Sequence, residues 1–158
     1  MHSNISSHFD SHNVLNNAQH GFRKKRSCIS QLIITLNDFA DCLKSKKQID
    51  AILLDFSKAF DKVDHKLLLH KLSKMGITGK LHSWITTFLS NRTQVVLVKG
   101  KKSKPMLVIS GVPQGTVLGP LLFIIFINDI TEVVKTARLE YLPTTLSSSI
   151  KSSPYKII

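Results

Sequence analysis

Between two stretches of helical periodicity the chain carries one unbroken apolar run, Ala51-Ile52-Leu53-Leu54, closed by Asp55. Four apolar residues in a row leave no polar face for water, so as a strand they must be covered on both sides. This requirement points to a layered fold of mixed helix and sheet, α/β or α+β, with a strand over 49–55 inside it. It also sets Asp55 at the strand's C-terminal edge, where a rigid backbone can hold a carboxylate in place.

The flanking pattern agrees with such layering. Ile29, Leu32, Ile33, Leu36, Phe39, Ala40 and Leu43 recur at helical spacing after Ser27, with Lys44, Lys46 and Lys47 in the last turn, which predicts a helix over 28–46. Residues 56–64 read as a tight connection. Leu67, Leu68, Leu69 and Leu72 then predict a second helix from His65 to Met75, stopped by Gly76. Thr78 is the expected cap of a third, running to about Ser90 with Leu81, Trp84, Ile85, Phe88 and Leu89 as its core stripe. Residues 93–98 and 105–109 are rich in β-branched side chains, and the break at Gly100 to Lys104 predicts a hairpin with a basic tip. A Gly/Pro-punctuated loop, 110–120, leads into a fourth helix from Leu121 to about Ile130.

The two ends differ from this middle. Residues 1–18 are polar and read as a flexible segment, and the four of seven histidines at or before His20 stand in spacings that fit no metal motif. Residues 131–158, with a Ser/Thr-rich stretch from Thr144 to Ser153, have no apolar period and read as an unstructured tail. Cys28 and Cys42 cannot build a disulfide framework or a CxxC zinc site, so a reducing intracellular compartment, nucleus or cytoplasm, is expected. The most apolar run, 118–127, is broken by Gly119 and Pro120 and is too short to cross a bilayer.

Charge narrows the class of partner. The formal net charge is +12, from 22 Lys+Arg against 10 Asp+Glu. Residues 1–64 hold nine basic and seven acidic side chains, whereas residues 65–158 hold thirteen and three. Basic clusters stand at Arg23-Lys24-Lys25-Arg26 and from Lys99 to Lys104. Such a balance suits a polyanion such as nucleic acid, although a run of charge is as often a merely solvated face.

Two stretches combine a strand end, loop glycines and polar side chains that a plain core does not require. They are Leu53-Leu54-Asp55-Phe56-Ser57-Lys58-Ala59-Phe60-Asp61-Lys62-Val63-Asp64-His65 and Ser110-Gly111-Val112-Pro113-Gln114-Gly115-Thr116-Val117-Leu118-Gly119-Pro120-Leu121-Leu122-Phe123. Together they resemble the reverse transcriptase domain of non-LTR retrotransposons of the jockey and LINE kind. The stretch from Gln19 to Cys28, the turn Asn91-Arg92-Thr93-Gln94-Val95-Val96 and Ile127-Asn128-Asp129-Ile130 also match that family's pattern. Motifs in the family's order span about Gln19 to Ile130, roughly seven-tenths of the chain.

The resemblance implies the fingers and palm portion of a right-hand polymerase. It implies an RNA template, a DNA primer and deoxynucleoside triphosphates as partners, and Mg2+ as cofactor. Asp55 matches the family's metal-binding aspartate, as suits a hard-oxygen ligand near a triphosphate; a strand-end Asp capping the next turn is the plainer account. Phe56 falls at the same nucleotide site. Phe60 matches the bulky side chain that excludes a ribose 2′-hydroxyl, with core packing as the alternative. Gln114 and Gly115 match the loop against the incoming nucleotide, although a simple Pro-Gln-Gly turn also accounts for the glycine. Arg23 corresponds to a fingers arginine on the nucleotide phosphates. Lys24, Lys25, Arg26, Arg92, Lys99, Lys101, Lys102 and Lys104 are candidate phosphate contacts on nucleic acid. Asp61 and Asp64 fall at scaffold positions of the motif.

One part of the pattern is missing. Two divalent ions held together need more than one carboxylate, and the family supplies the others from a palm hairpin with an aromatic-Ala-Asp-Asp signature some way beyond the position of Asp129. This sequence has no Asp-Asp pair, and Glu132 and Glu140 are the only acids after Ile130. The expectation is a fragment without thumb or endonuclease, with an incomplete palm sheet, catalytically inactive as it stands and at most a basic nucleic-acid-binding remnant.

Overall fold

The computed structural model describes residues 2–51 and 55–133. The chain divides into two compact units, one comprising residues 3–57 with those from Ile127 on, the other residues 58–126.

In the first unit, α1 (His2–Ser11) precedes an irregular segment and α2 (Cys28–Lys44). The segment 1–18, expected to be loose, therefore carries a helix, and the reason is visible in its side chains. Ile5 and Phe9, one turn apart on one face, are almost wholly buried. Residues 14–17 are held by side chains far away in sequence. Asn128 donates from Nδ2 to the Val14 carbonyl and accepts the Asn16 amide, both at 2.8 Å, while Asn16 Nδ2 reaches Thr131 Oγ1 at 2.7 Å. This ties the short α6 (Ile130–Val133) to the N-terminal segment. The tail from 134 on lies outside the described residues.

α2 starts where the periodicity predicts and ends two residues early, at Lys44. Ser27 Oγ accepts the Ser30 amide and Ser30 Oγ accepts the Ser27 amide, a reciprocal capping box with serine in both places. Its apolar stripe behaves differently from the expected core. Ile29, Leu32, Ile33, Leu36 and Leu43 remain 45–69% exposed, and Gln31 and Thr35 are the buried residues of the helix. Periodicity defines an apolar face but does not supply its cover. The strand predicted over 49–55 has its centre, 52–54, outside the described residues; Ile49 to Ala51 and Asp55 form no ladder.

The second unit contains α3 (His65–Lys74), α4 (Gly79–Leu89), a hairpin and α5 (Leu118–Phe126). Leu68 and Leu72 of α3, Ile85 and Leu89 of α4 and Leu122 and Ile125 of α5 have no accessible surface. Trp84 and Phe88, expected in the core, instead stack on each other at 5.3 Å toward the surface, with Trp84 41% exposed. α5 is apolar all round and nearly all buried, and it begins three residues before the expected Leu121 and ends at Phe126. Pro120 is tolerated there because the first-turn amides have no partner within a helix. One of those amides, that of Gly119, finds the Thr116 hydroxyl at 3.1 Å. At the other end the Lys71 ammonium donates to the Phe126 carbonyl at 2.6 Å.

The hairpin is present in four short pieces. β1 (Thr93–Gln94) pairs with β4 (Met106–Leu107), and β2 (Leu97–Val98) with β3 (Lys101–Lys102), both antiparallel. The break expected at Gly100 to Lys104 is smaller, since Lys101 and Lys102 belong to a strand. The tip is Lys99-Gly100, both with positive φ (48° and 78°), as a two-residue turn matched to strand twist requires. The register slips by one residue between the two ladders, so the returning arm holds one extra residue near Pro105, which has no amide for a ladder.

Capping separates two helix starts that look alike in sequence. Asp64 Oδ1 accepts the Leu67 amide at 2.7 Å, whereas Thr78 makes no side-chain cap bond. Asp64→Ala is therefore expected to cost about 1 kcal/mol of stability, and Thr78→Ala less than about 0.5 kcal/mol, read from urea unfolding midpoints of the two variants.

Candidate active site

Two of the sequence motifs meet inside the second unit. The turn 57–62 brings Phe60 inward, where its ring stacks on Phe123 of α5 at 4.7 Å and 24°. Phe60 is 8% exposed, so its packing role is visible directly. The loop 110–116 lies against the same turn. Val112 donates its amide to the Phe60 carbonyl at 2.9 Å and Gly111 donates its own to the Val63 carbonyl at 2.8 Å. Ser110 Oγ donates to the Asp61 carbonyl at 2.9 Å, and Gln114 Nε2 to the Asp61 carboxylate at 3.0 Å.

Gly111 is what permits this approach. Its φ is +87°, and a Cβ placed there would lie 2.9 Å from both the Cα and the carbonyl oxygen of Asp61. Backbone cannot retreat as a flexible side chain can. Gly119 is tight for a related reason, with a Cβ position 2.7 Å from the Pro113 carbonyl oxygen. Gly115 differs from both: its φ of +76° favours glycine, but the space around it is open. Gln114 and Gly115 are thus exposed at the crest of a loop whose two feet are tightly fastened.

The remaining candidates fall elsewhere. Asp55 and Phe56 belong to the first unit, immediately after the undescribed 52–54, and both are exposed. Arg23 is also there. Its Nη1 donates to the Asn16 carbonyl at 2.8 Å and more weakly to that of Leu15 at 3.4 Å. Burial lowers its pKa, Arg26 adds to the fall and Asp10 opposes it; a guanidinium still stays charged at neutral pH. Arg26 bonds the carbonyl and the side-chain oxygen of Asn17. Arg23 and Arg26, two of the three arginines expected at phosphates, are therefore engaged in holding 15–17, while Lys24 and Lys25 between them are exposed.

The hairpin lysines are where the sequence places them. Lys99, Lys101, Lys102 and Lys104 are exposed, and the first three line an open hollow of about 460 Å³ with Val96, Val98 and Ser103. Arg92 is not part of this group. It is half-buried at the hairpin's base, donating from Nε to Leu89 O at 3.1 Å and from Nη2 to Gly111 O at 2.9 Å. The roles of Asp61, Ser110 and Gly111 in joining the motifs had no local signal in the sequence, because the partners stand some fifty residues apart.

Among the described residues no group of three or more His, Cys, Asp or Glu side chains comes together as a metal site. Asp55 offers a hard oxygen suited to magnesium, but one carboxylate does not hold an ion, and the described residues do not make up a magnesium centre. No helix among them is long and apolar enough to cross a membrane.

Comparison with known proteins places the chain in a family. The family described as reverse transcriptase (RNA-dependent DNA polymerase) matches residues 1–147, and the chain belongs to this family. Its relatives are polymerases of non-LTR retrotransposons. It is 36% identical over 111 residues to the RNA-directed DNA polymerase from the mobile element jockey of Drosophila melanogaster, covering 70% of this chain and 12% of that protein. It is 32% identical over 117 residues to the probable RNA-directed DNA polymerase from transposon BS of the same species, covering 74% of this chain and 13% of the relative. A retrovirus-related Pol polyprotein from the type-1 retrotransposable element R2 of Popillia japonica is 28% identical over 110 residues, covering 69% and 16%. The chain thus spans about an eighth of the length of the first two relatives.

The fit at Gly111 is testable against an internal control. Gly100 has a similar φ of +78° but open surroundings. Gly100→Ala is expected to cost about 1 kcal/mol from backbone strain alone, and Gly111→Ala about 3 kcal/mol or more once overpacking is added. Denaturant unfolding of both variants measures the difference.

Proposed function

We propose that this chain forms fingers and palm elements of an RNA-directed DNA polymerase, with its motif-bearing part in residues 19–130. The observation that carries this reading is the meeting of the two motif stretches: Phe60 on Phe123, and Asp61 on Gln114, in one compact unit. Gln114 and Gly115 form the exposed loop that receives a deoxynucleoside triphosphate. Phe60 backs that loop through its carbonyl's bond to the Val112 amide, its ring anchored by Phe123. Asp55, with Phe56 beside it in the first unit, would be one carboxylate ligand for magnesium, which would neutralise triphosphate charge in two-metal chemistry.

The lysine hairpin is the contact to template and primer phosphates. From Asp64 to Asp129 the intervening residues include nine basic and no acidic side chains. Within that stretch the exposed Lys99, Lys101, Lys102 and Lys104 bind phosphate through counterion release and need no catalysis to do so. That charge pattern favours a second reading, in which residues 1–158 bind nucleic acid without polymerising it. Both readings share the surface and differ at the metal.

Two experiments separate them. Single-stranded RNA binding by the chain is expected to weaken steeply with salt, and Lys101→Ala with Lys102→Ala to reduce the slope of log K against log salt by about 1.4, at ~0.7 per phosphate contact. An unchanged slope removes the hairpin from the interface. For the metal, Mn2+ added with dATP is expected to broaden NMR amide signals around Asp55, and Asp55→Asn to abolish that broadening. Primer extension on an RNA template with Mg2+ is expected to be absent for the 158 residues alone. Extension that survives Asp55→Asn would overturn both the inactive reading and the role of Asp55.

A further inference from the structure

The Gly111 carbonyl accepts two side-chain hydrogen bonds, from Arg92 Nη2 at 2.9 Å and from His65 Nε2 at 2.8 Å. A carbonyl oxygen has two lone pairs and only accepts, so both are used, and the His65 ring must carry its proton on Nε2. The two donors come from different elements. His65 begins α3, directly after the cap Asp64. Arg92 follows α4, binds the Leu89 carbonyl at that helix's end through Nε, and accepts the Val108 amide at the base of the hairpin through its own carbonyl. Gly111 is therefore the point where α3, α4 and the hairpin are joined to the loop bearing Gln114 and Gly115.

We propose that His65 and Arg92 are positioning residues for nucleotide binding, acting through the Gly111 carbonyl to fix the orientation of the Gln114-Gly115 loop. The inference rests on the nucleotide-binding reading of that loop. Gly111's amide on Val63 and Val112's amide on Phe60 fasten the loop to residues 60–63, but neither engages the Gly111 carbonyl oxygen. The Arg92 guanidinium and the His65 imidazole hold that oxygen from two separate elements. Arg92 is suited to this because its planar fork reaches two carbonyls at once; a lysine ammonium in its place keeps the charge but not the paired geometry. Arg92 thereby serves the nucleotide indirectly and stands apart from the hairpin lysines that face solvent.

The test uses the whole 158-residue chain with Arg92→Lys, His65→Ala and His65→Gln, the last restoring an N–H donor. Three readouts are compared: equilibrium dialysis with radiolabelled dATP and Mg2+, salt-dependent binding of single-stranded RNA, and thermal unfolding with amide hydrogen exchange. Arg92→Lys and His65→Ala are expected to weaken dATP binding about tenfold, as misplacement of a positioned group does. Exchange should rise at the Gly111 and Val112 amides and not at those of Leu68 and Leu72. RNA affinity and its salt slope should stay at the wild-type values, and His65→Gln should recover part of the dATP affinity. If Arg92→Lys binds dATP as well as the wild type, Arg92 acts by charge alone and the proposal falls. A parallel drop in dATP binding, RNA binding and unfolding temperature shows a general structural role and also overturns it. Wild-type chain that takes up no dATP removes the reading of Gln114 and Gly115 itself, an outcome distinct from either.

Discussion

The close approach of Gly111 to the backbone of Asp61 is the contact on which the second unit depends. A side chain of any kind at Gly111 would stand inside van der Waals distance of Asp61, and the positive φ is one that glycine adopts without strain. Once the two backbones are that near, the other bonds become possible. Gln114 reaches the Asp61 carboxylate, Ser110 reaches the Asp61 carbonyl, and Phe60 is drawn far enough inward to stack on Phe123. The buried face of α5 then has aromatic and aliphatic partners already in place.

Arginine and lysine divide the work of a basic chain. Arg23, Arg26 and Arg92 each direct guanidinium N–H groups at backbone carbonyls within the fold, a use suited to a planar donor with several N–H groups. Lys24, Lys25, Lys99, Lys101, Lys102 and Lys104 are left at the surface, where a strongly hydrated ammonium is stable and can exchange water for phosphate. A count of positive charge treats these groups as equal. Their geometry separates those that build the fold from those that can meet a polyanion.

Much of the framework was legible along the chain. Ser27, Asp64 and Gly76 mark helix limits within a residue or two, because capping and termination act over three or four residues. The hairpin follows from its β-branched flanks, although its tip is Lys99-Gly100 and not the wider break expected at Gly100 to Lys104. Less legible was whatever needed a distant partner. The polar look of residues 1–18 conceals Ile5 and Phe9 one turn apart, and Asn128, more than a hundred residues away, holds the segment that follows. The apolar stripe of α2 and Trp84 show the opposite failure, since both have core-like spacing and stay exposed.

By itself the sequence determined four of the helices, the hairpin, the excess of positive charge and the family to which the motifs belong, all of which are written in short windows of side-chain pattern. Tertiary structure decided which charged groups face inward, that Asp61 rather than solvent receives Gln114, and that Gly111 collects two donors from separate elements. The physical reason is range. Local pattern acts through neighbours three or four residues apart, whereas a hydrogen bond across 46 residues of chain exists only after packing has closed the loop between them.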